Sequence, residues 1–141
     1  MLLAATIATV VKALGRNYVY DAGTLVAIDK RHDEVLRDHQ SRLAEGDNII
    51  IPAPVAAQVV RNPQRQARLM LTLRGCDIVP FGREDVSPVG SLLAQAGTSD
   101  VIDGFVVLTA VNALAAVVSS DADDIRHLLR TLGVRLPVLA P

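Results

Sequence analysis

Short runs of consecutive apolar residues alternate along this chain with longer segments in which apolar positions return every three or four residues. An uninterrupted apolar run reads as a strand buried on both faces, because a strand with one wet face would alternate apolar and polar side chains. Such strands are predicted at NYVY, ending at Asp21, and at NIIIP, CDIVPF, AAVVSS and, briefly, VRLPVLAP. The segments between them predict helices. One begins in TLVAIDK; DEVLRDHQSRLAEGD is closed by Gly46; APVAAQVVR starts beside a proline; and PQRQARLMLTLRG runs from Pro63 to Gly75. Three more follow: EDVSPVGSLLAQAG, starting near Pro88, then SDVIDGFVVLTAVNAL and DADDIRHLLRTLG. Strand and helix in alternation, with strands apolar throughout, predict an α/β fold with a parallel sheet covered on both faces.

Length and composition narrow this picture. At 141 residues the chain reads as one domain, long enough to bury roughly two thirds of the surface its unfolded form exposes. The opening MLLAATIATVVKALG has no basic leader and is interrupted by Lys12, so it reads as an amphipathic helical extension over residues 1–17 and not as a signal peptide. The uncharged 17 residues from Gly104 to Ser120 divide into a buried helix and a buried strand and do not form a membrane span. The lone Cys76 cannot form an internal disulfide and lies in what reads as a short buried strand, which suits a reducing cytoplasm.

The formal charge of −1 excludes a strongly basic surface that grips nucleic acid by phosphate neutralisation alone. A local patch stays open. Arg61, Arg65 and Arg68 follow i, i+4, i+7 spacing on one face of a predicted helix, either a solvated face or a strip that contacts phosphate.

The candidate chemistry lies in the acids. In an open parallel sheet, functional groups collect beyond the carboxyl ends of the strands, where strand order reverses. Asp21 ends the first predicted strand, Asp121 follows AVVSS, and Asp100 and Asp103 open the helix that leads into that strand. Each has an ordinary explanation as a helix cap, and the pairs Asp100/Asp103 and Asp121/Asp124 share the i, i+3 spacing of a capping box. Asp123 reads as solvent-facing. Gathered at one edge, however, carboxylates repel and need a proton or cation between them. An all-oxygen set suits Mg²⁺ or Mn²⁺, and such an ion with bound water suits phosphodiester hydrolysis. His32, His39 and His127 lack zinc-site spacing and read as ordinary surface or partly buried residues. A phosphate-cradling glycine loop, a nucleophile elbow and a dinucleotide fingerprint are all missing from the sequence.

The succession VYDAGTLVAI, IPAPVAAQVVR, GTSDVIDGFVVLTA and VVSSDADDIRHLL resembles PIN domains, specifically the VapC-type toxins of bacterial toxin–antitoxin modules, from about Tyr18 to Val138. The resemblance implies a PIN-like three-layer sandwich over residues 18–141, a five-stranded parallel sheet flanked by helices. It also implies a cytoplasmic endoribonuclease that cleaves RNA with Mg²⁺ or Mn²⁺, is silenced by a VapB-like antitoxin and forms a homodimer. By motif, Asp21 matches the acid after the first strand, Asp103 the helix-initial acid, and Asp121 the acid of the fourth-strand motif, with Ser119 for its threonine. Asp124 matches the acid three residues on, and Asp100 is an additional candidate one turn before Asp103. Asp21, Asp103, Asp121 and Asp100 are thus the expected metal ligands, with Asp124 a supporting catalytic acid.

Three features depart from the pattern. Gln58 stands where most PIN nucleases carry Glu, Gly23 where Ser or Thr is usual with Thr24 next door, and Gly104 where Ala is usual. The first 17 residues lie outside the resemblance, and Val19 offers an alternative start that would make them a product of start-site misassignment. The expected activity is Mg-dependent RNA cleavage. The alternative is a PIN-fold module of weakened or lost catalysis that binds an antitoxin or RNA, for which Gln58 is the argument. A phosphoacceptor receiver domain, also doubly wound with clustered Asp, needs a late-strand Lys, and the chain has only Lys12 and Lys30.

Overall fold

In a computed structural model of the chain, which describes residues 16–141, the apolar runs form one five-stranded parallel sheet in the order β3-β2-β1-β4-β5. The strands are β1 (Asn17–Tyr20), β2 (Asn48–Pro52), β3 (Asp77–Val79), β4 (Ala116–Val118) and β5 (Val138–Leu139). Between them run α1 (Ala22–Asp29), α2 (Asp33–Ala44), α3 (Ala53–Val59), α4 (Ala67–Arg74), α5 (Val86–Ala96), α6 (Val101–Ala113) and α7 (Ala122–Leu132). Helices α1 to α4 pack around α1, and α5, α6 and α7 pack on one another, so helical layers flank the sheet. Apart from residues 16 and 17, the N-terminal extension lies outside the described residues. Among them, no helix is long and apolar enough to cross a membrane.

The centre of the sheet is apolar, as its sequence requires. Val19, Tyr20, Ile51, Val117 and Val118 are fully buried, covered by Leu25, Ile28, Val55 and Leu69 from α1, α3 and α4 and by Val106, Val107, Ile125 and Leu128 from α6 and α7. The 104–120 segment divides as expected: α6 ends at Ala113, Leu114 turns with φ 51°, and β4 begins at Ala116. Helix α2 ends where Gly46 takes φ 79°. Helix α5 starts at Val86, two residues before Pro88, because a proline inside the first turn removes an N–H that has no intrahelical partner.

Three expectations are corrected. The segment after Pro63 is not one helix: Pro63–Arg65 form a short 3₁₀ turn and α4 starts only at Ala67. The cause is Gln66, whose side-chain oxygen accepts from the Arg61 and Asn62 backbone N–H groups at 2.8 and 2.9 Å and whose amide nitrogen donates to Asp29 Oδ2 and Val59 O. The break puts Arg61 in a loop, where it donates to the Ala57 carbonyl that ends α3, so Arg61, Arg65 and Arg68 share no single helical face. Second, β3 is an exposed edge strand, with Asp77 and Ile78 facing solvent; Cys76 precedes it, half-buried, and burial pushes its thiol up to about 11. Third, His39 is buried, because Tyr20, fully buried at the end of β1, carries a phenol that needs a polar partner. Arg42 donates to the Tyr20 phenol oxygen at 3.1 Å, and the phenol and His39 Nδ1 share a hydrogen bond at 2.9 Å. Burial and the Arg42 charge lower the His39 pKa, favouring the neutral imidazole.

Candidate functional site

The chain lays β1, β2 and β3 outward on one side, then crosses back to place β4 on the other side of β1. Strand order therefore reverses between β1 and β4, and a crevice opens beyond their carboxyl ends. The register pairs Tyr20 with Val118, so Asp21 and Ser119 leave the sheet side by side. Helix α6 returns towards the start of β4, which brings its N-terminus, with Asp100 and Asp103, to the same edge.

Asp21 is only 4 % exposed. A buried carboxylate is tolerable only when its oxygens are bonded, and both are: Oδ1 accepts from the Ala22 N–H at 2.7 Å and Oδ2 from the Ser119 hydroxyl at 2.9 Å. Ser119 in turn accepts from the Asp121 N–H at 2.9 Å, so one buried hydroxyl ties the acid after β1 to the backbone of the acid after β4. Thr24 does not reach this chain; its hydroxyl donates to the Val118 carbonyl inside the fold.

The two capping boxes diverge. Asp100 caps α6, its Oδ1 accepting from the Asp103 N–H at 3.0 Å. Asp121 sits at the N-cap of α7 but makes no side-chain cap bond. Its carboxylate is therefore exposed and uncommitted. Asp123 faces solvent, as expected, in a loose ion pair with Arg126 at 3.7 Å.

Asp103 reports the combined field. Half-buried in the first turn of α6, its carboxyl is pushed up to about 7, first by burial and then by the negative charges of Asp100, Asp21, Asp121 and Asp124. The four other candidate acids thus act on Asp103, and the five come from three separate segments of the chain. They do not form a ready-made cage: among the described residues, no three His, Cys, Asp or Glu side chains are placed to hold a metal ion as they stand. The donors are all oxygens and carry excess negative charge that a proton relieves at Asp103. That chemistry fits a hard dication that keeps part of its water shell.

Two grooves meet at Asp124. One, about 390 Å³, is lined by Thr98, Ser99, Asp100, Asp103, Asp124, His127 and Leu128; the other, about 360 Å³, by Ser120, Asp121, Ala122, Asp123 and Asp124. His127, set aside on sequence, belongs to the first groove, and its Nε2 donates to the Ala96 carbonyl at 2.8 Å. Its i+3 spacing from Asp124 on α7 was the available signal. Gln58 is exposed on α3, outside the lining of both grooves.

Fold and edge together define the class: a PIN-like α/β domain with an acidic crevice at its topological switch point. No family model matches the chain, and no curated protein matches it. Among solved structures it is similar to the crystal structure of VapBC2 from Rickettsia felis bound to a DNA fragment from their promoter, with a TM-score of 0.65 and 20 % identity over 89 % of this chain and 98 % of that one. At that identity the likeness is one of fold, and it extends across the whole matched chain.

Proposed function

We propose that this chain is a metal-dependent endoribonuclease of the VapC type, the toxin of a toxin–antitoxin pair, acting in the cytoplasm. The observation that carries the reading is the gathering of acids from three segments at the switch point of a PIN-like sheet: Ser119 bonds both Asp21 Oδ2 and the Asp121 N–H, and Asp100, Asp103 and Asp124 line one groove. Asp21, Asp103 and Asp121 would hold Mg²⁺ or Mn²⁺, with Asp100 completing the charge. The ion would neutralise phosphodiester charge and activate water for attack. The protein's own groups prepare the site: Ser119 fixes the orientation of Asp21, Asp100 holds the start of α6, and Asp124 lines both grooves where solvent enters. A VapB-like antitoxin laid over the crevice belongs to the same reading, supported by the likeness to the fold of the VapBC2 neighbour, and the proposal includes a homodimer.

A second reading is a PIN-fold module that binds RNA or an antitoxin without cutting. Gln58 favours it, since an amide supplies no charge and no base. The test is cleavage of cellular RNA by purified protein in Mg²⁺, Mn²⁺ or chelator, beside Asp103→Asn and Gln58→Glu. Metal-dependent cutting lost in Asp103→Asn, by at least about a hundredfold for a residue at a reacting centre, supports the nuclease. Inactivity of the native chain with activity gained in Gln58→Glu supports the binding module.

A further inference from the structure

Two serines follow β4, and the alternation of side chains along an extended segment turns them opposite ways. Ser119 points inward to Asp21. Ser120 is exposed, and its hydroxyl stands over Gly23 at the start of α1: a side chain at position 23 would overlap the Ser120 hydroxyl and come within 3.0 Å of Ser120 Cβ. Gly23 has no positive φ to explain it, unlike Gly46, Gly97 and Gly133. Glycine within a helix is unfavourable relative to alanine. What Gly23 provides is space, and Ser120 fills it.

Two hydroxyls beside Ser120 are committed within the fold. Ser119 donates to Asp21, and Thr24 to the Val118 carbonyl. Among the described residues, the Ser120 hydroxyl makes no hydrogen bond, and it lines the groove shared with Asp121 and Asp124. The carboxylates beside it only accept, whereas a phosphodiester brings oxygens that need donors. We infer that Ser120 is a substrate-binding residue, donating its hydroxyl to a non-bridging phosphate oxygen of RNA in the crevice, and that Gly23 is glycine so that this hydroxyl can stand there. The inference rests on the nuclease reading and assigns to it a contact from the β4 side.

The experiment uses the full chain with steady-state cleavage in Mg²⁺, binding of a short fluorescein-labelled single-stranded RNA in Ca²⁺, and thermal melting. Ser120→Ala is expected to raise KM and weaken RNA binding by about tenfold, the scale of one hydrogen bond to a charged group, with melting and kcat little changed. Gly23→Ser alone should lower the melting temperature through the clash. The swap Gly23→Ser/Ser120→Gly returns a hydroxyl from the opposite side and should recover both melting temperature and KM. A native chain that cuts RNA while Ser120→Ala keeps native KM and RNA affinity overturns the assignment alone, as does a swap that behaves as the sum of its single changes. A native chain that neither cuts nor binds RNA overturns the nuclease reading and this assignment with it.

Discussion

Asp103 links the site to the stability of the chain. Its carboxyl titrates at about 7 in the fold against 3.8 unfolded, so between those values the native state holds a proton that the unfolded state has released. Stability in chelator should therefore be highest near the unfolded value and fall as pH rises from about 4 to about 7. Asp103→Asn carries no titrating group there, so its melting temperature in chelator should exceed that of the native protein at neutral pH and converge with it in acid. A native profile that does not fall over that window would show that the crowding of the acids is relieved by rearrangement. The placement of Asp21, Asp103 and Asp121 beside the sheet was legible in the sequence because each adjoins an apolar strand or opens the helix beside one. The work of Ser119 was not, because it depends on a register between strands whose bonded side chains lie 98 residues apart.

At the scale of elements, periodicity located every strand and helix core, and the errors fell where one side chain overrides it. Gln66 is polar in a stretch that reads as helical, yet its hydrogen bonds with Arg61, Asn62, Asp29 and Val59 reset the chain between α3 and α4. Nothing in the spacing of Arg61, Arg65 and Arg68 announces that break. The edge position of β3 was equally hidden, since CDIVPF is as apolar as a central strand. The end of α6 offers a direct test of local conformation. Leu114 holds φ 51° while 81 % exposed, a left-handed backbone on a side chain that packs against little. Leu114→Gly should relieve about 1 kcal/mol of that strain, seen as a higher midpoint in urea unfolding; a lower midpoint would show that the exposed leucine is held by contacts of its own.

For the molecule as a whole, the alternation of elements was enough to predict a doubly covered parallel sheet, but not the order β3-β2-β1-β4-β5. That order depends on which strand a crossover returns to, which composition does not encode, and the acidic crevice exists only because β4 lands beside β1. A cation bound at that junction would bridge segments from both ends of the described chain and so stabilise the native state through mass action. Mg²⁺ or Mn²⁺ should raise the melting temperature of the native protein more than equal ionic strength of Na⁺ does. The rise should vanish in Asp103→Asn. Equal shifts with all three salts would mean that only general screening acts on the acids.

The hydrogen bond from Ser119 to Asp21 also sets a timetable for synthesis. Asp21 leaves the ribosome before its partner, which lies 98 residues later, and Asp121 and Asp124 follow later still. Domains fold as units, so the crevice cannot assemble until β4 and the start of α7 have been made. A nascent or prematurely terminated chain that lacks them carries none of the assembled site.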